Sequence, residues 1–183
     1  MKRVSYFIVV CASILLSGCN RTQKFDQNLS LGFEKATELT CLSGVVGEMT
    51  SRTWHKAIFD NKDHTGQYCF NFNYALETFY DYLEDKGTLQ EIRTTKKELD
   101  VYVKAMADCP RSRKNAYDDF INYVTDVMAL ADLALEPKGS LNAYSDNIYE
   151  LVNRIKKEQD VFEIKYGEFL VEVNSSSTFN EDW

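Results

Sequence analysis

Leu31–Phe59, reading LGFEKATELTCLSGVVGEMTSRTWHKAIF, decides the fold. Leu31, Leu39, Leu42, Val46, Met49, Ala57 and Ile58 return at helical intervals, with Phe33, Ala36, Val45 and Trp54 flanking them. One long amphipathic helix is expected. Ser30 stands where an N-cap would accept from the first free amides. Asp60-Asn61-Lys62-Asp63-His64-Thr65-Gly66 reads as the loop that ends the helix.

Four more helices follow from the same period. Phe72, Ala75, Leu76, Phe79 and Leu83 form the stripe of a second, stopped at Lys86-Gly87. Thr88-Leu89-Gln90-Glu91 has the form of a capping box for a third, with Leu89, Ile92, Leu99, Val103 and Met106 on one face and Pro110 as its stop. Tyr117, Phe120, Ile121, Val124, Val127, Met128, Ala131 and Leu135 mark a fourth, ended by Pro137-Lys138-Gly139. Ser140 caps a fifth, whose stripe runs from Leu141 through Tyr144, Ile148, Leu151, Val152, Ile155, Phe162 and Tyr166 to Phe169. Two prolines and eight glycines in 183 residues suit long helices better than a many-turned sandwich. The expected fold is all-α, an antiparallel bundle of about five helices.

The tight link at Gly87 predicts that helices two and three form a hairpin. That places Cys69 and Cys109 at one end and predicts a disulfide between them. Cys41, about 27 Å from the end of the first helix at 1.5 Å per residue, is out of reach of a bridge and is expected to be a buried thiol.

The N-terminus differs in kind from the rest. Lys2 and Arg3 precede an apolar run, Val4 to Leu16, that ends at Ser17, Gly18 and Cys19, the layout of a secretory leader. The run is shorter than the roughly 20 apolar residues that a membrane span needs. Leu16-Ser17-Gly18-Cys19 resembles the lipobox of bacterial lipoproteins. The resemblance implies a leader, residues 1–18, cleaved before Cys19, with the Cys19 thiol carrying a diacylglyceryl group. Two or more acyl chains hold a protein stably on a bilayer. Asn20, in place of the aspartate that retains such proteins in the inner membrane, implies the outer membrane, facing the periplasm. Residues 19–29 read as a lipidated tether, 30–172 as the bundle domain, and 173–183 as a flexible tail with too few apolar groups to fix its shape.

A second resemblance rests on Trp54 with Ala57-Ile58, on Asn71-Phe72-Asn73-Tyr74-Ala75-Leu76 and on Leu135-Glu136-Pro137-Lys138-Gly139-Ser140-Leu141. Together these look like small helical bacterial proteins of unknown function. The resemblance supports the helical reading and imports no activity.

Removing residues 1–18 takes away Lys2 and Arg3 but no acid, so the exported chain is more acidic than the −7 of the whole. That balance disfavours nucleic acid and anionic lipid as partners. His55, Asp60, Asp63 and His64 are metal-type ligands close together in sequence, without the spacing of a known zinc motif. A calcium loop started at Asn61 puts Phe72 where its bidentate glutamate belongs. There is no Gly-x-Ser-x-Gly elbow and no glycine-rich phosphate loop. Neither metal nor cofactor nor catalysis is expected.

Aromatic crowding is the remaining feature: Tyr68, Phe70, Phe72, Tyr74, Phe79, Tyr80 and Tyr82 exceed what one helix face can bury. Tyr80 and Tyr82 are therefore expected at an interface, since rigid rings contribute contact area at little entropy cost. The expected function is that of a lipid-anchored, non-catalytic module that contacts another envelope protein. Its rivals are a superinfection-exclusion or toxin-immunity lipoprotein, and a metal or small-ligand binder using His55 and His64.

Overall fold

The computed structural model describes residues 2–170, with side chains from residue 21 onward. Among these residues the chain is all-helical: α1 (Lys2–Phe59), α2 (Phe72–Asp85), α3 (Thr88–Ala105), α4 (Lys114–Leu135) and α5 (Leu141–Tyr166), with 3-10 turns at Arg111–Arg113 and Gly167–Phe169.

The first helix does not begin at Ser30. The Ser30 hydroxyl donates to the Asp26 carbonyl at 3.0 Å, inside a helix already running. Phe25 and Leu29 are buried in the main core, so residues 25–29 belong to the bundle and not to a tether. Phe25, Leu29, Phe33, Ala36 and Leu39 continue one helical stripe backwards.

Beyond Leu39 the buried stripe turns away from the expected one. Ser43, Val46, Thr50, Thr53, Trp54 and Ala57 are buried, whereas Met49 and Ile58 are exposed. Small hydroxyl residues fill inward positions that apolar counting assigned to their neighbours. One of them, Thr50, and the glycine at 47 mark places where α1 meets other helices closely. Thr50 bonds the Tyr80 hydroxyl at 3.1 Å, and a Cβ on Gly47 would stand 2.7 Å from Ile148 Cδ1. Cys41 falls on the outward side and is exposed, not buried.

α2 and α3 do not fold back on each other. Trp54 stacks on Phe72, Thr50 bonds Tyr80, Lys35 pairs with Glu98 at 3.0 Å, Gly32 lies against Tyr102 and Met106, and Arg21 pairs with Asp108. As the number rises through α2 and α3, the partner's number on α1 falls without turning back. The two short helices lie end to end along α1. A hairpin would have turned their apolar stripes on one another and left Phe25 to Leu39 of α1 short of cover. Gly87, at φ +77°, makes the joint. It occupies the N-cap position of α3 itself, so Thr88 is the first helical residue and the expected capping box does not form.

The other arms are placed by similar pairs. Asp26 meets Arg113, and Phe33 meets Tyr123. Along α5, Trp54 meets Tyr144 and Phe33 stacks on Phe162, with ring centroids 5.3 Å apart. Ser140 caps α5 as expected, accepting from the Ala143 amide.

Candidate functional site

The site is built at the end of α1. Lys56 O accepts from the amides of Asp60 and Lys62, Asn61 turns through φ +52°, and Cys69 N donates to Asn61 O at 2.7 Å. The chain thus doubles back, with Lys62 and Tyr68 paired as an isolated bridge. Asp63 holds the turn: its Oδ1 accepts from the Thr65 amide at 2.9 Å, the Gln67 amide at 3.0 Å and the Thr65 hydroxyl at 2.6 Å. The Thr65 hydroxyl, with help from these amides, holds the Asp63 carboxyl below the usual carboxylate range. Asn71 then caps α2 by accepting from Asn73 N.

This loop is pinned beneath and bare above. Cys69 is buried in a small cluster with Ala57 and Ala75, and its thiol donates to Asn71 O. His64 lies between Phe79 and Tyr82, with ring centroids 5.6 and 5.4 Å away. On the outer side Tyr68 and Phe70 meet edge to face at 4.5 Å, and they are 65% and 87% exposed. Phe59, Phe72 and Tyr74 are exposed beside them.

The two tyrosines expected at an interface part company. Tyr80 belongs to the fold: its hydroxyl donates to Ala134 O at 2.7 Å, and burial pushes its phenol up. Tyr82 remains exposed and packs on His64. The better-exposed rings are Tyr68 and Phe70, which the sequence crowding included, and Phe59, which lay outside the crowded stretch.

The cysteine pairing is not supported by the geometry. Cys69 packs on Ala57, whereas Cys109 follows Asp108, the partner of Arg21. Those two places on α1 are about 54 Å apart at 1.5 Å per residue, against the 4.4 to 6.8 Å that a bridge requires. The expected bridge depended on the hairpin of α2 and α3, and it falls with it.

The histidines are also separated. His55 packs against Phe59 and lines a groove with Asp60, Leu141 and Ser145, while His64 faces Met49 and Thr53 on another side of α1. Among the described residues no group of three or more His, Cys, Asp or Glu is placed to hold a metal ion.

Cys19, the expected leader (1–18) and the expected tail (173–183) lie outside the residues whose side chains are described. No helix among the described residues is long and apolar enough to cross a membrane. Comparison with family models, curated proteins and solved structures gave no match to this chain.

Proposed function

We propose that the chain is a lipid-anchored helical stand of the bacterial cell envelope. It works by contact at its aromatic end and not by turnover. The single observation that carries this reading is that Phe59, Tyr68, Phe70, Phe72 and Tyr74 are exposed together at the end of α1 farthest from Arg21. Such rings, of which only Phe72 also stacks on a core side chain, Trp54, are what a protein interface uses as anchors.

The wider architecture fits an antiparallel bundle, with α1 and α4 running one way and the α2–α3 pair and α5 the other. The order of contacts along α1 supports it. Residues 21–59 in helix span about 57 Å, so an acyl group on Cys19 and a partner on Phe70 would be held a fixed distance apart. The lipobox at Leu16 to Cys19 supports export and anchoring on the periplasmic side of the outer membrane.

Two experiments test this. Labelled palmitate is expected to enter the wild-type chain and to be lost from Cys19→Ser; label retained in that variant ends the anchoring. A photo-crosslinking residue at position 70 in intact cells is expected to give one discrete adduct with an envelope protein. The same residue at position 164, also apolar and exposed but near the other end, is expected to give none. Equal yields from both positions would remove the aromatic end from consideration.

A further inference from the structure

The end of the bundle opposite the aromatic loop gathers cations. Arg21 and Lys24 of α1 stand beside the turn Pro110 to Lys114, joined to it through Arg21 with Asp108 and Asp26 with Arg113. Five cations, Arg21, Lys24, Arg111, Arg113 and Lys114, meet four carboxylates there, Asp26, Asp108, Asp118 and Glu168. The chain as a whole carries a formal −7. Asp26 and Arg113 satisfy each other in a half-buried pair, with N···O distances of 2.8 and 2.9 Å. Lys24 and Arg111 are exposed and have no ion-pair partner among the described residues. Arg21 and Lys114 are exposed too, in surface pairs with Asp108 and Asp118 that water and other anions readily replace.

The helix supplies the second half of the case. α1 runs unbroken through residues 19–24, with no flexible link between Cys19 and Arg21. An anchor at residue 19 would therefore hold this end within a Debye length, about 8 Å, of whatever surface the anchor enters.

We infer that the Arg21, Lys24, Arg111 and Lys114 end rests on anionic phospholipid headgroups of the anchoring membrane, and so points the aromatic end away from it. This rests on the lipid anchor proposed above. The acidic total, which argues against anionic lipid, averages over two ends of different charge. Each cation near an anionic surface strengthens attachment about fivefold.

The test uses the full lipidated protein on vesicles of phosphatidylcholine alone, and on vesicles with about 30% phosphatidylglycerol added to give a negative surface. Lysine acylation is then read residue by residue by mass spectrometry. On the anionic vesicles Lys24 and Lys114 are expected to react at least about fivefold more slowly, with reactivity restored by high salt. Lys62 and Lys138, at the aromatic end, are expected to react equally on both. The double variant Lys24→Glu with Arg111→Glu is expected to lose the protection of Lys114 while keeping the wild-type melting temperature. Protein that floats with both vesicles but labels identically on them overturns the inference and leaves the anchor standing. Protein that floats with neither overturns both.

Discussion

Near Asp26 the bundle closes on a bidentate ion pair, whereas near Trp54 it closes on stacked rings and leaves two of them, Tyr68 and Phe70, facing water. The ion pair at that end is self-contained. Asp26 and Arg113 are 13% and 19% exposed, and the Arg113 guanidinium lies 3.7 Å over the Phe169 ring, tying the last turn of the described chain to α1 at Asp26. The hydrogen bonds to Asp26 push the Arg113 guanidinium further up. A raised group contributes its stability below its unfolded value and loses it only above, so this cation stays charged at any working pH. The aromatic end has no such closure. What holds its loop is the Asp63 turn above a small buried cluster of Ala57, Cys69 and Ala75, and its surplus is apolar and outward. The ionic end closes on a pair of its own and keeps its remaining cations at the surface, whereas the aromatic end leaves bare rings for something else to cover.

The largest test of that contrast is Leu29→Ala. A residue in a tether would be silent, but Leu29 is fully buried in the main core. The expected loss is about 3 kcal/mol in chemical denaturation. A loss under about 0.5 kcal/mol, the range of surface substitutions, would return residues 19–29 to a tether. Asp26→Asn comes next. It keeps the shape but leaves the Arg113 charge in a site largely shut off from water, which is expected to cost about 2 kcal/mol, below the full penalty of a wholly buried pair. A double-mutant cycle with Arg113→Gln would recover most of that loss if the two act as a pair. Simple addition of the two single losses would mean that they do not.

At the aromatic end the effects are smaller and diverge between neighbours. Tyr80→Phe removes the donor to Ala134 O and is expected to cost about 1 kcal/mol. Tyr82→Phe removes an exposed hydroxyl that makes no hydrogen bond among the described residues, and should leave the melting temperature where it was. Equal losses would merge the two residues again into one role. Phe70→Ala is expected to change stability by less than about 0.5 kcal/mol while reducing any crosslink from the neighbouring position 68.

Much of this fold was legible where the apolar period was dense. The stripes of α4 and α5, the Ser140 cap and the stop at Gly87 follow from residue order alone, because local propensity and burial agree there. Legibility failed where one residue had to speak for a turn, as Phe25 does, or where the buried residue is a hydroxyl, as at Ser43 and Thr50. It failed again at the joint of α2 and α3. A short glycine link permits a hairpin or an end-to-end arrangement equally well, and the choice depends on how much of α1 is left to cover. The misplaced disulfide and the misjudged exposure of Cys41 are consequences of those two failures. The aromatic end was half legible: its composition was plain, but which rings α2 would turn inward depended on Thr50 and Ala134, which lie 30 and 54 residues from Tyr80.

The smallest expected effect is also the most local. Asp63 accepts three hydrogen bonds within its own turn, and its carboxyl is held low by them. A depressed acid stabilises the folded form above its unfolded value, close to 3.9 for aspartate as an approximate reference, and loses that contribution as the pH falls through the lower, folded value. Acid should therefore loosen the loop while α1 and α4 still hold. The measure is amide exchange at Thr65 and Gln67, corrected for intrinsic rates, as the pH is lowered below the ordinary carboxylate range. Protection at these two amides should drop before that of Val124 or Leu130 in the core of α4. In Asp63→Asn the acid step should vanish, because an amide oxygen still accepts but no longer titrates. Should the loop and α4 lose protection together, the turn would be no more separable than the rest of the bundle, and the aromatic rings would ride on the body of the fold and not on an independently held loop.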